Sequence, residues 1–141
     1  TVVLTRQFRF PAFAGGLDEL VIEVPAGMLD DAAPEERIRA EVEEETGFRV
    51  SAVTPVFQAY SSPGAVTELL HCFTGRYSAD DRIGPGGGKA GEGEDIEVLE
   101  PTLQEALAMV ADGRIRDAKT IMLLQYAALQ LAPRSDAMEG K

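Results

Sequence analysis

Four glutamates, Glu41, Glu43, Glu44 and Glu45, occupy four of five consecutive positions in a segment that is predicted to form one helix. In an α-helix Glu41 and Glu45 lie on one face with Glu44 beside them, and like charges at these spacings destabilise a helix by about 0.2–0.5 kcal/mol per pair. Many glutamate-rich helices are simply solvated on this face. The other explanation is a divalent cation, and hard oxygen ligands of this kind suit magnesium or manganese.

The segments around the helix favour the metal site. A Pro25-Ala26-Gly27 turn follows an apolar strand, a loop leads into the helix, and Thr46-Gly47 ends it with a glycine that serves as the C-cap. Together they predict a loop–helix–loop cradle for a metal ion.

These residues resemble the signature of the Nudix hydrolases, in which a glycine and a glutamate precede Arg-Glu-apolar-x-Glu-Glu-x-Gly-apolar. Gly27 and the run from Glu41 to Phe48 fit this signature, while the arginine of the family falls on Ala40 and its earlier glutamate falls on Ala33. In the family, the arginine mainly orients the glutamates.

Two nearby arginines are candidates to replace the one missing at Ala40. Arg37 and Arg39 precede the glutamates on the same helix, but each points about 100° or more away from position 40. The sequence leaves open which of them, if either, takes over the role.

The resemblance implies a set of metal ligands. Glu41 and Glu45 would bind Mg²⁺ or Mn²⁺ together with the backbone carbonyl of Ala26, and Glu94 would complete the set. Glu44 would assist as a ligand or as a base.

Residues 78–93 form a charged, glycine-rich loop that predicts a lid over the site. Glu92 lies on this loop, and we interpret it as the candidate general base that accepts a proton from the attacking water. A solvated acidic loop is the alternative.

Cations and polar groups elsewhere are candidates for substrate contacts. Arg9 and Lys119 could meet phosphate oxygens or sugar hydroxyls, and Glu68 could accept hydrogen bonds from a sugar or a base. Gly27 and Met28 are expected beside the substrate as well. A surface salt bridge is the alternative for each charged residue.

Residues outside the signature resemble the nucleoside diphosphate sugar branch of the family. Pro63 lies in a Ser-Pro-Gly turn 63 − 47 = 16 residues beyond Gly47. The resemblance implies a pyrophosphatase that splits a nucleoside diphosphate sugar, with GDP-mannose favoured and ADP-ribose next. A binding module that holds a nucleotide sugar without cutting it is the other hypothesis, because Ala33 and Ala40 weaken the signature. The segments that carry the GDP-mannose resemblance are residues 4–9, 62–71, 87–88, 94–100 and 115–120.

Strands alternate with helices along the chain, which predicts an α/β fold. The resemblance implies an α/β/α sandwich around a mixed sheet. Strands are predicted over residues 2–10, 20–24, 51–60, 66–77 and 95–99, and helices over the glutamate segment, 102–110 and 118–131.

One domain over residues 1–132 and a loose tail over 133–141 fit the length of 141 residues. Relatives of this architecture carry extra N-terminal strands that this sequence lacks. We therefore expect a shortened chain, and a homodimer for the full-length protein.

The formal net charge of −11 argues against nucleic acid as a partner, because binding to a polyanion depends on lysine and arginine. No apolar run approaches the ~18 residues of a membrane helix, and no signal peptide pattern is present, so we expect no membrane contact and a cytoplasmic location. Cys72 and His71 lie in an apolar strand segment and are interpreted as structural.

Overall fold

A computed structural model describes residues 1–29, 31–89, 91 and 94–131. The prediction of a loose tail at 133–141 lies outside these residues. None of the helices in the described ranges is long and apolar enough to cross a membrane. In chain order the elements are β1 (Leu4–Gln7), α1 (Phe10–Ala14), β2 (Val21–Glu23), α2 (Pro34–Thr46), β3 (Val53–Tyr60), β4 (Leu69–Gly75), a 3-10 helix (Ala79–Asp81), β5 (Glu97–Leu99), α3 (Leu103–Ala111) and α4 (Ala118–Leu131).

The strands form two sheets. β1 lies in the centre of a three-stranded sheet in the order β2, β1, β5, and Thr5 of β1 pairs with Glu23 on one side and Val98 on the other. β3 and β4 form a separate hairpin with an irregularity between Pro55 and Phe57. All of these pairings are antiparallel, so the expected mixed sheet is wrong for the described strands. The α/β class is confirmed, and the sandwich stays a prediction.

Helices with clear end signals lie where the sequence predicts them. α4 has the predicted bounds, and α3 begins with the predicted capping box, in which the Glu105 N–H donates to Thr102 Oγ1 at 3.1 Å and the Thr102 N–H donates to the Glu105 carboxylate at 2.8 Å. The first strand is shorter than predicted. Pro11 lies in the first turn of α1, where a missing N–H breaks no helical hydrogen bond.

The main core lies between the three-stranded sheet and the last two helices. β1 contributes Leu4, β2 contributes Ile22 and α4 contributes Leu124, which are all buried. α3 and α4 also contact each other. The buried members of this core are Leu4, Ile22, Ala106, Met109, Ile115 and Leu124.

The glycine-rich segment is fastened to the C-terminal end of α2. Gly47 takes the left-handed conformation expected of a C-cap, with φ of 75°. The amides of Gly87 and Gly88 then donate to the carbonyls of Glu45 at 2.8 Å and Glu44 at 3.1 Å. Because the last carbonyls of a helix have no partners within it, these hydrogen bonds complete the helix end. The first part of the predicted lid thus lies against the glutamate helix.

Among the described glycines of this loop, Gly86 approaches a neighbouring backbone most closely. Its φ is 70°, and a Cβ would lie 2.5 Å from the carbonyl carbon of Thr46. We expect Gly86→Ala to lower the free energy of unfolding by about 2 kcal/mol or more, measured by urea denaturation. Gly64→Ala is the matched control, because nothing lies within 4 Å of its Cβ position, and it should change stability by less than about 0.5 kcal/mol. Equal effects of the two substitutions would contradict the tight packing of the loop on α2.

Candidate active site

Two of the four clustered glutamates face inward. Glu41 and Glu45 are 6% and 3% exposed, while Glu44 is half-buried. Glu43 lies on the other side of α2, where its carboxylate accepts a hydrogen bond from Arg49 Nε at 2.9 Å. Glu43 therefore fits the interpretation of a solvated helix face, whereas the burial of Glu41 and Glu45 needs another explanation.

Glu45 holds the least compensated carboxylate in the cluster. Its Oε2 is buried without a hydrogen-bond partner among the described residues, and its carboxylate is hydrogen-bonded to the backbone of Ala26. Burial, and then the charge of Glu41, raise the pKa of Glu45 to about 8, against an ordinary value of 4.5. The amide of Ala26 opposes this rise, so the structure brings Ala26 to the site through its N–H. The predicted ligand role of its carbonyl stays a prediction.

Glu41 is packed against the Pro-Ala-Gly turn. A Cβ on Gly27 would lie 2.0 Å from Glu41 Oε1, so only glycine allows this close approach. Burial raises the pKa of Glu41, and the charge of Arg37 opposes the rise. Gly27 therefore shapes the place of a buried carboxylate, as the predicted cradle requires.

Of the two candidate arginines, Arg37 is the one that reaches a buried glutamate. Its guanidinium forms an ion pair with Glu41 one helical turn later, and its Nε donates to the carbonyl of Met28 at 3.2 Å. Arg39 instead donates to the carbonyl of Glu35 at 3.4 Å. Arg37 thus joins the helix to the loop that carries Ala26 and Gly27, although it occupies a different position from the arginine of the family signature.

The glycine-rich loop brings a cation and a further carboxylate to the cluster. Lys89 Nζ lies 3.0 Å from the Glu44 carboxylate, and the Lys89 N–H donates to Glu94 Oε2 at 2.9 Å. The charges of Glu44 and Glu94 both raise the pKa of Glu41, after the effects of burial and Arg37. Glu94 is therefore placed beside the helix glutamates.

Arg9 and Lys119 meet at a residue that the sequence analysis missed. Glu23, which is 3% exposed, accepts hydrogen bonds from Arg9 Nε and from Lys119 Nζ, each at 2.7 Å. Lys119 Nζ also donates to Asp117 at 2.9 Å. The signal was present in the sequence, because a charged residue inside the apolar strand segment from Leu20 to Val24 is rarely buried unless it is paired.

The donor set fits a hard divalent cation. Glu41, Glu45, Glu44 and Glu94 supply carboxylate oxygens, and the unpartnered Oε2 of Glu45 is a buried acceptor that a cation would satisfy. In the part of the chain that the structure describes, no three His, Cys, Asp or Glu side chains are already arranged as a metal centre. The ion pairs of Glu41 with Arg37 and of Glu44 with Lys89 explain this arrangement, because each draws a carboxylate toward a side-chain cation.

Among the described residues, two predicted site residues, Glu68 and Met28, have side chains that are not brought into this cluster. Glu68 is exposed just before β4, where its carbonyl accepts the Ser61 N–H at 3.2 Å, and the side chain of Met28 is 80% exposed. Glu92 lies outside the described residues. Cys72 is buried as expected.

A groove of about 330 Å³ lies on the other face of α2, away from Glu41 and Glu45. Its lining residues include Glu36, Arg39 and Glu43. None of the predicted site residues that the structure describes lines this groove.

Three relatives of this chain share one name. The chain is 53% identical to the GDP-mannose pyrophosphatase of Pectobacterium atrosepticum over 131 residues, which cover 92% of this chain and 67% of that protein. It is 51% identical to the GDP-mannose pyrophosphatase of Yersinia enterocolitica over 130 residues, which cover 92% of this chain and 67% of that protein. For the GDP-mannose pyrophosphatase of Yersinia pestis the identity is 50% over 136 residues, which cover 96% and 68% of the two chains. No family model matches the chain.

All three relatives are pyrophosphatases by name, and at this identity and coverage the chain is a member of their family. That family is the GDP-mannose pyrophosphatases.

The buried carboxyl of Glu45 predicts how the stability of the metal-free protein depends on pH. Because the folded-state pKa of about 8 exceeds the ordinary value of 4.5, folding favours the protonated form, and this contribution to stability is lost as the pH rises from about 4.5 to 8. We expect Glu45→Gln to raise the melting temperature in EDTA at pH 8 and to have little effect at pH 4.5, measured by scanning calorimetry. A lower melting temperature of the variant at pH 8 would contradict the uncompensated charge.

Arg37 and Arg39 offer a matched pair of substitutions. Arg37→Ala removes the ion-pair partner of the buried Glu41, and we expect it to lower the free energy of unfolding in EDTA at pH 7 by about 1–3 kcal/mol. Arg39→Ala, on the same helix, should change it by less than about 0.5 kcal/mol. Urea denaturation measures the free energy of unfolding of both variants. Similar changes in the two would contradict a stabilising Arg37–Glu41 ion pair.

Proposed function

We propose that this protein hydrolyses the diphosphate of GDP-mannose, giving GMP and mannose 1-phosphate. The observation that carries this proposal is membership in the GDP-mannose pyrophosphatase family at 50–53% identity over more than nine tenths of the chain. The protein is then a hydrolase, and the resemblance of Gly27 and Glu41–Phe48 to the Nudix signature supports a Nudix-type enzyme.

The glutamate cluster would hold Mg²⁺ or Mn²⁺. Glu41, Glu45 and Glu94 are the proposed side-chain ligands, the Ala26 carbonyl is the proposed backbone ligand, and Glu44 lies beside them. When bound, the metal would neutralise phosphate charge and lower the pKa of a coordinated water. The buried, unpartnered Oε2 of Glu45 supports this assignment.

Arg9 and Lys119 are proposed to bind the phosphate groups. Arg9 uses its Nε toward Glu23, and its terminal nitrogens make no hydrogen bond to another described residue, so they can donate to one phosphate in parallel. Lys119 uses two of its three N–H donors, toward Glu23 and Asp117. Both cations therefore keep donors for an anion.

The general base is assigned between two glutamates. Glu92 is the proposed base, as the sequence predicts, on the loop whose earlier glycines lie against α2. Glu44 is the alternative, although its carboxylate is paired with Lys89. A base must accept the proton of the attacking water, so a paired carboxylate is the weaker candidate.

The hypothesis of a module that binds without hydrolysis depended on Ala33 and Ala40, which replace a glutamate and an arginine of the family signature. Arg37 supplies a guanidinium to Glu41 from the preceding turn, which weakens the part of that argument that rests on Ala40. A contact of Glu68 with substrate and a homodimer are proposed from the resemblance alone, and the cytoplasmic location stays a prediction.

The activity is tested by a substrate panel. We expect Mg²⁺-dependent release of GMP and mannose 1-phosphate from GDP-mannose, measured by chromatography, with a higher kcat/KM than for ADP-ribose or UDP-glucose. Preference for ADP-ribose would correct the substrate, and no product from any nucleotide sugar in Mg²⁺ or Mn²⁺ would support the binding module.

The same assay separates the candidate bases. Glu92→Gln should lower kcat by ~10²-fold or more if Glu92 is the base. Glu43→Gln, on the outward face of α2, is the control and should leave kcat within about threefold. An unchanged kcat for Glu92→Gln would assign the role to Glu44.

A further inference from the structure

Among the described residues, Glu23 is the most deeply buried charged side chain outside α2, and neither the glutamate signature nor its metal ligands include it. Its side chain is 4% exposed, against 43% for Arg9 and 19% for Lys119. A buried ion pair of this kind is weak evidence for stability, because desolvation of the charges offsets most of their attraction. A role of this arrangement in the reaction explains it better than a contribution to stability.

We propose that Glu23 is a positioning residue, which holds the guanidinium of Arg9 and the ammonium of Lys119 beside the glutamate cluster so that both cations meet the diphosphate of the substrate. This inference rests on the proposed function. It adds to it a residue that touches neither metal nor substrate and acts through the two cations.

The backbone around Glu23 fixes the position of Lys119 relative to the Glu23 carboxylate. Glu23 pairs with Thr5 across β1 and β2, and Thr5 Oγ1 donates to the Glu23 carbonyl at 3.2 Å. The Val24 N–H donates to Thr120 Oγ1 at 2.8 Å, which joins the end of β2 to the first turn of α4. Because Lys119 precedes Thr120, this contact sets the origin of the lysine side chain relative to Glu23.

Asp117 completes this junction. Its Oδ2 accepts hydrogen bonds from the Thr120 N–H at 3.0 Å and from Thr120 Oγ1 at 2.6 Å, while its Oδ1 accepts one from Lys119 Nζ. Thr120 is fully buried. The Lys119 ammonium is thus held between the carboxylates of Glu23 and Asp117. Because its position is already restricted, less conformational freedom is lost when substrate binds.

Arg9 and Glu23 lie close to the proposed metal-binding glutamates, and Lys119 is joined to them through its hydrogen bond with Glu23. The charges of Glu23 and Arg9 both act on the carboxyl of Glu45, Glu23 raising its pKa and Arg9 lowering it, after burial, Glu41 and the Ala26 amide. A diphosphate bound at Glu45 through a metal would therefore be close to Arg9. Without Glu23, Arg9 would lose its described hydrogen-bond partner and Lys119 would keep Asp117 alone, so both side chains would have more conformational freedom to lose in each binding event.

The reactivity of the Lys119 amine tests this arrangement independently of catalysis. Burial lowers the pKa of Lys119, but the charge of Glu23 and its hydrogen bond, together with those of Asp117, outweigh burial and raise it. Removal of the Glu23 charge should make the amine easier to deprotonate. It should then react faster with an acylating reagent.

Glu23→Gln tests the proposal through a split between KM and kcat. For GDP-mannose with saturating Mg²⁺, we expect KM to rise by about tenfold or more while kcat falls by less than about threefold. The Mg²⁺ concentration for half-maximal rate should not change. Acetylation of Lys119, followed by mass spectrometry at pH 8, should be faster than in the unmodified protein, with Lys89 as the internal reference.

Two further variants keep the test decisive. Glu97→Gln removes the partner of Arg6 on the same sheet and should leave KM within about twofold. Glu23→Asp keeps the charge but shortens the side chain, so it should give a smaller rise in KM than Glu23→Gln, and it serves alone if the glutamine variant does not fold.

The outcomes are distinct. If Glu23→Gln and Glu23→Asp leave KM unchanged, or if they change the Mg²⁺ dependence instead, the positioning role is overturned. If the unmodified protein hydrolyses no nucleotide sugar, the proposed function fails. In that case faster acetylation of Lys119 in Glu23→Gln would still support the hold of Glu23 on this amine, and an unchanged rate would overturn it.

Discussion

Buried negative charge is the constraint on which the rest of this structure depends. Glu23, Glu41 and Glu45 are each at most 6% exposed, in a chain that already carries a formal net charge of −11. A buried carboxylate costs several kcal/mol unless it is paired or coordinates a metal. Arg9 after β1 and Lys119 on α4 pair with Glu23, and Arg37 on α2 pairs with Glu41. Lys89 on the glycine-rich loop pairs with the neighbouring Glu44, whereas Oε2 of Glu45 has no partner among the described residues.

The same pairs connect segments that are distant in sequence. Lys119 and Glu23 are 96 residues apart, and their contact joins α4 to β2 beside the main core. Lys89 joins the glycine-rich loop to α2, where the amides of Gly87 and Gly88 already complete the helix end. Glycine is required at Gly86 and Gly27 for a related reason, because a side chain there would collide with the helix or with its carboxylate. Ion pairs and close backbone packing therefore act together to hold α2 and the glycine-rich loop in position.

The sequence correctly predicted the features that interactions between nearby residues determine. The capping box at Thr102, the glycine cap at Gly47 and the apolar pattern of α4 gave correct helices, because each acts within a few residues. The split into two antiparallel sheets was missed, since the pairing of Leu4 with Leu99 depends on contacts 95 residues apart. Arg37 was left open because helix angle alone ignores the length of the side chain, which spans one turn to Glu41. Glu23 was missed although its apolar neighbours marked it.

The distribution of partners also explains why one glutamate matters most for a cation. Glu23 has two cationic partners, Glu41 has Arg37 and Glu44 has Lys89, whereas Glu45 is hydrogen-bonded only to a backbone amide and leaves one oxygen unpartnered among the described residues. An amide supplies a dipole and no full charge, so it cannot balance a buried carboxylate whose neighbours, Glu41 and Glu23, are also negative. Protonation removes this imbalance below about pH 8. Above that pH the proposed divalent cation would remove it, which links binding of the metal to the stability of the fold.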